Sequence, residues 1–258
     1  MPSPAIFTNI INSYLPEPHA SLLNGIIFGT NLKVTKEFYE YLKIVGLLHI
    51  VVLSGANISL LTAIISKSLF FLSKRLAILL TILIIIIFVI FVGPQAPIIR
   101  AGFMGVLTLV AIIYGRKYTA LYVLFLSAIF VALFWPKWLT TLSFQLSYGA
   151  SLGIILFYPK KKMNYFVDQF LLSLSAQIFT APLIFLKFKT VSLISPISNI
   201  CIAWTIAPLM IFGFLTAFLG KINFYLGLIP SYICYGILTY VIWIIEHLAK
   251  IPLGYLRF

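Results

Sequence analysis

Acidic residues are scarce in this chain. Its 258 residues include five Asp and Glu against eighteen Lys and Arg, which gives a formal net charge of +13. Charged residues make up 9% of the sequence, whereas a soluble domain averages about 25%. Hydrophobic residues make up 62%. This composition excludes an ordinary soluble globular protein and predicts an all-α, polytopic membrane protein.

Motifs that bind nucleotides or metals are absent from the sequence. There is no Walker motif, no GxGxxG and no HExxH, and the two cysteines and three histidines lack the spacing of metal ligands. We therefore expect no metal, no cofactor and no enzymatic activity. Because the chain has no nucleotide site, energy for any transport would have to come from a partner.

The hydrophobic runs predict a bundle of about eight transmembrane helices, some of them broken. Discontinuous helices are expected near Ser54-Gly55 and near Ser195-Pro196, where turn-forming residues interrupt long apolar segments. The predicted organisation is an irregular segment over 1–18, one transmembrane domain over 19–250 and a tail over 251–258.

The basic clusters predict the orientation of the bundle. When the spans alternate, the strongest clusters fall on one side, which the positive-inside rule assigns to the cytoplasm. These clusters are Lys74-Arg75, Arg116-Lys117 and Lys160 to Lys162. Both termini are then expected outside. Contact of loop lysines and arginines with anionic lipid explains most of the positive excess. A polyanionic substrate is the alternative explanation, and charge alone does not separate the two.

The hydrophobic run from Ile44 to Leu72 contains polar groups at a depth where each must find a partner in protein or in a water-filled cavity. These groups are His49, the Ser54-Gly55 step and Asn57. A hydrogen bond between helices is one explanation for His49. The alternatives are that His49 lines a polar path through the membrane, carries protons or acts as a ligand.

Arg100 lies near the start of a later span, just after Pro97. Its side chain either extends to the membrane surface or lines an aqueous path for an anion. Further polar groups recur in other spans, and together they suggest a shared polar interior. They are Gln145 with Ser147, Gln177, and Asn199 with Ser195 and Ser198.

Four short strings, in order and at their spacing, resemble the competence domain of the ComEC family. They are GxxHxxxxSG at Gly46 to Gly55, PxxRAxxM at Pro97 to Met104, FQLSY at Phe144 to Tyr148, and AQxxxxP at Ala176 to Pro182. The resemblance covers roughly residues 19–250. It implies an integral protein of the bacterial inner membrane that carries single-stranded DNA during natural transformation.

The resemblance also implies partners, namely a DNA-receptor protein outside and a helicase-like motor inside. Longer relatives carry an OB-fold-like domain and a metallo-β-lactamase-like domain, and neither pattern occurs in these 258 residues. The family usually has a histidine where this chain has Asn57, which argues against a catalytic or metal role there. Membrane lipid is a further expected partner, and a homo-oligomer is left open.

We therefore predict a DNA channel whose path is lined by His49, Ser54, Gly55, Asn57, Arg100, Gln145, Ser147, Gln177 and Asn199. A secondary transporter of a small anionic solute is the alternative, because broken helices and a buried arginine suit it equally well. A membrane scaffold without transport would instead pair these polar groups with each other.

Overall fold

The computed structural model describes residues 4–51, 54–159, 163–251 and 255–257. Most of these residues are helical, which confirms the predicted all-α class. The helices are α1 Ala5–Tyr14, α2 His19–Phe28, α3 Lys36–Ile44, α4 Leu48–Val51, α5 Gly55–Ser68, α6 Lys74–Val92, α7 Ala96–Ile113, α8 Ala120–Phe134, α9 Leu142–Phe157, α10 Tyr165–Phe188, α11 Ser195–Ile222 and α12 Phe224–Ala249. A 3-10 helix, Pro136–Trp138, joins α8 to α9.

Five of these helices are long and apolar enough to cross a membrane: α6, α7, α10, α11 and α12. Three shorter apolar helices, α2, α8 and α9, accompany them. A helix of 18 residues spans about 27 Å at 1.5 Å per residue, close to the thickness of bilayer hydrocarbon. Large apolar side chains such as Ile90, 63% exposed, cover the outer surface of α6. The predicted polytopic membrane bundle is confirmed; the orientation of its termini stays a prediction.

The chain divides into two compact units. The first comprises residues 54–160 with 175–183, and α7 lies at its centre, in contact with α5, α6, α8 and α9. The second comprises residues 2–53, 161–174 and 184–258. Its core is the hairpin of α11 and α12, onto which α1 and α2 pack.

The two predicted helix discontinuities have different outcomes. Near Ser54-Gly55, α4 ends at Val51 and α5 begins at Gly55, with the Ser54 side chain capping α5. Near Ser195-Pro196 the structure shows the start of α11 rather than a break within a helix. Proline fits the first turn of a helix, where its missing N–H leaves no hydrogen bond unmade. Pro208 then lies inside α11 without ending it.

Two strands of three residues pair outside the helices. Strand β1, Thr190–Ser192, runs antiparallel to β2, Tyr255–Arg257, with Val191 opposite Leu256. The sequence does not predict this pair, because three residues are too few to show a strand period. The pairing ties the C-terminal segment of the chain to the connection between α10 and α11.

Candidate anion site around Arg100

Arg100 lies on the second turn of α7, the central helix of the first unit. Pro97 occupies the first turn, where it favours the start of a helix. The half-buried Arg100 side chain is directed toward α9. Its Nε donates to the Ser147 hydroxyl at 2.9 Å, and its Nη1 donates to the Ser151 hydroxyl. Helix α9 therefore holds the guanidinium by two side chains.

Ser147 and Ser151 are four residues apart and so lie on the same face of α9. The Ser151 hydroxyl donates to the Ser147 carbonyl at 3.0 Å, which leaves its oxygen free to accept from Arg100. Ser147 belongs to the predicted site, whereas Ser151 does not. The i, i+4 spacing of Ser151 from Ser147 is the sequence signal that indicates it.

Other neutral groups complete the surroundings of the guanidinium. The Met104 sulfur lies 3.9 Å from Nη1, and the Tyr148 ring centroid lies 6.0 Å from the Arg100 Cζ. The Tyr148 ring stacks on Phe144 at 4.1 Å between centroids. Arg100 is thus oriented by hydroxyls, a thioether and an aromatic face, none of which carries a negative charge.

The first turn of α5 meets the guanidinium from another direction. A Cβ atom on Gly55 would overlap Arg100 Nη2, so glycine is what allows this close approach. Ser54 caps the helix, and its hydroxyl donates to the Asn57 side-chain oxygen at 3.2 Å. Asn57 is 3% exposed. The positive end of the α5 dipole therefore lies beside a cationic side chain.

No carboxylate of the first unit is available to neutralise Arg100. The sequence contains no Asp or Glu between Glu40 and Asp168, and none within 175–183. Taking an arginine partly out of water without a counter-charge costs free energy that hydroxyl partners offset only in part. Guanidinium groups bind carboxylate and phosphate oxygens well, so an anion from outside the unit fits this position.

The remaining predicted residues stay predictions. Gln145 and Gln177 are half-buried in the first unit. His49 and Asn199 belong to the second unit, where His49 is exposed and the Asn199 amide donates to Ser173 at 2.8 Å. The Asn199 contact is a hydrogen bond between α11 and α10.

The second unit contains an open groove of about 480 Å³ with a different electrostatic character. Three of the five acidic residues of the chain line it, together with two lysines: Glu17, Glu37, Glu246, Lys33 and Lys250. Tyr41 donates to Glu37 at 2.5 Å. This hydrogen bond, followed by desolvation and the charges of Glu37 and Glu246, raises the pKa of Tyr41. The carboxylates disfavour a polyanion here, so Arg100 remains the better anion site.

A family model described as Competence protein matches residues 26–258. The chain belongs to this family. The resemblance based on the four strings is thereby confirmed. Three of those strings meet at the guanidinium: Ser54-Gly55 from the first, Arg100 with Met104 from the second, and Ser147 with Tyr148 from the third.

Two curated proteins are similar to parts of the chain. ComE operon protein 3 of Bacillus subtilis (strain 168) is 27% identical over 194 residues, which cover 71% of this chain and 24% of that protein. An uncharacterized protein of Aquifex aeolicus (strain VF5) is 30% identical over 154 residues, which cover 59% of this chain and 36% of that protein. The matches thus extend over about a quarter to a third of these relatives. No solved structure matches the chain.

Proposed function

We propose that this chain forms the membrane channel through which single-stranded DNA crosses the bacterial inner membrane during natural transformation. The observation that carries the proposal is the uncompensated Arg100, held where three family strings meet in a unit without a single acidic residue. Membership of the Competence protein family supplies the biological process.

The chemistry of the site suits a passing phosphodiester. A polyphosphate needs a continuous polar and preferably cationic path through about 30 Å of hydrocarbon. Ser147 and Ser151 hold Nε and Nη1 of Arg100, while Nη2 makes no hydrogen bond to any residue that the structure describes. Nη2 can therefore donate to successive phosphate oxygens as the strand moves.

Further polar side chains, partner proteins and lipid would complete the proposed channel. His49, Asn57, Gln145, Gln177 and Asn199 would supply further polar contacts along the path. A DNA-receptor protein outside the cell would deliver the strand, and a helicase-like motor in the cytoplasm would draw it inward. Anionic lipid would contact the basic clusters, such as Arg116-Lys117, at the membrane surface.

The test uses a naturally transformable host that expresses this chain, and it measures the uptake of labelled DNA. Arg100→Ala is expected to reduce DNA entry into the cytoplasm at least tenfold, on the order expected when a charge-assisted contact of 1.5–3 kcal/mol is lost. DNA bound at the cell surface should stay unchanged. Arg100→Lys should restore part of the uptake, because it returns the charge without the planar fork.

Arg116→Ala is the matched control, since Arg116 is an exposed cation of the same unit. It should take up DNA nearly as the wild type does. Normal transformation by the Arg100→Ala strain, at wild-type protein levels in the membrane, would remove Arg100 from the mechanism. Normal transformation of a strain that lacks the chain altogether would refute the channel.

A secondary transporter of a small anion is the second candidate. The break before α5 sets a helix N-terminus beside Arg100, and a half-buried arginine at a broken helix also suits a small anionic solute. Purified chain in liposomes separates the two functions. Rapid uptake of radiolabelled phosphate that Arg100→Ala abolishes would favour the transporter, whereas phosphate-tight liposomes would favour the DNA channel.

A further inference from the structure

A row of aromatic rings crosses the first unit from α7 to the connection between α8 and α9. Phe103 stacks on Phe130 with 4.6 Å between ring centroids, and Phe130 contacts Phe134 at 4.7 Å. Phe134 contacts Trp135 at 5.9 Å. Trp135 then stacks on Trp138 with centroids 5.0 Å apart and planes only 8° from parallel.

The two tryptophans are held by a fixed backbone. Pro136 begins the 3-10 helix between them, and the Trp138 N–H donates to the Trp135 carbonyl at 2.9 Å. The Thr141 hydroxyl donates to the Trp138 carbonyl at 2.6 Å. Because the backbone of both tryptophans is held in this way and their rings stack on each other, a planar ligand that stacks on Trp138 orders little more of the protein.

Trp138 is the end of the row. Its ring contacts one other aromatic ring, Trp135, among the residues that the structure describes. Both indoles keep part of their surface exposed. A further aromatic ring that stacks on Trp138 would extend the row.

The charges around the row favour an anionic ligand. Lys137 lies between the two tryptophans in sequence and is exposed. Every charged residue of 54–160 is a lysine or an arginine. Nucleic-acid bases stack on aromatic side chains while nearby cations bind the phosphates, and proteins that bind single strands commonly combine the two.

The row also leads to the Arg100 site. Phe103, at the other end of the row, lies one helical turn after Arg100 on α7. The segment from Trp135 to Trp138 leads into α9, which begins at Leu142. Ser147 lies five residues after Leu142, about 7.5 Å along the helix axis. The stacked rings and the guanidinium thus belong to the same end of the first unit.

We propose that Trp138, backed by Trp135, is a stacking platform for a base of single-stranded DNA, next to the path that begins at Arg100. The inference rests on the proposed function and adds a base-binding position to it. A tryptophan at the end of a membrane helix also suits the lipid interface, which makes lipid anchoring the competing role.

The experiment uses the full chain in nanodiscs of zwitterionic phosphatidylcholine. Two fluorescein-labelled probes are compared by anisotropy, an oligothymidylate and an abasic oligodeoxyribose phosphate of the same length. Trp138→Leu is expected to weaken binding of oligothymidylate by about fivefold or more, as the loss of one stacked base implies, and to leave the abasic probe unaffected. Trp138→Phe should retain most of the affinity, because it keeps an aromatic face.

Trp243→Leu is the matched control, since Trp243 is a 53% exposed tryptophan of the second unit. It should bind both probes as the wild type does. If Trp138→Leu lowers the affinity for both probes equally, base stacking at Trp138 is wrong. It is also wrong if Trp138→Leu binds both probes normally but inserts less well into membranes, because that outcome indicates lipid anchoring. Circular dichroism of Trp138→Phe checks that the fold survives a substitution at this position.

The outcomes for the platform and for the channel are distinguishable. If Trp138→Leu binds both probes normally while transformation still requires the chain, the platform is wrong and the channel stands. If Trp138→Leu loses oligothymidylate selectively while a strain without the chain transforms normally, the platform stands and the channel is wrong.

Discussion

At the scale of single residues, Arg100 is unusual because all of its contacts within the described part of the chain are with neutral groups. Ser147 and Ser151 contribute hydrogen bonds to a charged donor, each worth about 1.5–3 kcal/mol, whereas the effective desolvation of an ion is several kcal/mol. The two hydroxyls therefore orient the guanidinium and offset part of its desolvation without neutralising it. An anion that arrives at Nη2 adds the missing interaction.

Gly55 determines how closely the guanidinium approaches α5. In Gly55→Ala the new methyl group would occupy the position of Arg100 Nη2, so the guanidinium has to move. We expect cytoplasmic uptake of labelled DNA to fall by about tenfold, the effect of one misplaced charged contact, with surface binding unchanged. Uptake is measured as nuclease-resistant label per unit of membrane-inserted protein.

Gly236→Ala serves as the control for this change. Gly236 lies inside α12, and a Cβ atom there would meet nothing within 4 Å. The substitution should leave uptake unaltered and should stabilise the helix by up to about 1 kcal/mol, because alanine is the better helix former. Wild-type uptake in Gly55→Ala would show that the position of Nη2 is unimportant.

At the scale of elements, glycine lets α9 pack against α10. Gly149 and Gly153 lie four residues apart on α9, and both contact α10. A Cβ atom on Gly153 would overlap the backbone oxygen of Ser175, whereas one on Gly149 would meet the Phe179 Cβ at an ordinary 3.4 Å. The two positions therefore differ in how much volume they tolerate.

Gly153→Val is expected to lower the free energy of unfolding by about 1–3 kcal/mol, the usual effect of adding volume to a filled contact. Backbone atoms of α10 cannot rotate away as a side chain can. Gly149→Ala should stay within about 1 kcal/mol of the wild type. Thermal unfolding of both variants in the same detergent measures the difference, and equal stabilities would contradict the close contact.

The sequence also predicted where some elements begin and end. The Ser-Gly step predicted the break before α5, because serine caps helices and glycine tolerates irregular backbone. Ser195-Pro196 predicts a break within a helix, whereas the structure shows the start of α11 there. Proline in the sequence does not distinguish the two cases, since only the conformation of the preceding residues decides whether a helix has already begun.

At the scale of the whole molecule, the charges are segregated between the two units. All five acidic residues belong to the second unit: Glu17, Glu37, Glu40, Asp168 and Glu246. Every charged side chain of the first unit is cationic. The first unit therefore attracts polyanions over distances of about a Debye length, and this attraction weakens as salt is added.

On the proposed function, binding of an oligothymidylate to the full chain in zwitterionic nanodiscs should weaken steadily between 50 and 200 mM salt, about the range over which counterion release is large. Lys137→Gln should make the slope of log Kobs against log salt shallower by about 0.7, the value for one phosphate contact on a single strand. Anisotropy titrations at several salt concentrations measure the slope.

Lys250→Gln is the control for this measurement, because Lys250 lines the carboxylate-rich groove of the second unit. It should leave the slope unchanged. A slope that changes equally in both variants would contradict a DNA contact concentrated in the first unit.

The sequence by itself determined the class of the protein, its family and the residue types of the site. Composition suffices for the class, since 62% hydrophobic and 9% charged residues cannot form a soluble domain of ordinary kind. The short strings suffice for the family. The sequence also indicates Arg100, Ser147 and the Ser54-Gly55 step, because a polar group within an apolar run is costly unless it has a partner or lines a polar cavity.

Only the tertiary structure decided which of these groups meet. Arg100 and Ser147 are 47 residues apart in sequence and 2.9 Å apart through Nε and Oγ, a contact that depends on how α7 packs against α9. Ser151 and the row of rings ending at Trp138 could not be selected from the sequence either. The sequence does not show which serine faces Arg100 or which aromatic rings come into contact. Period and composition are local properties, whereas the Arg100 site is formed by residues from three helices.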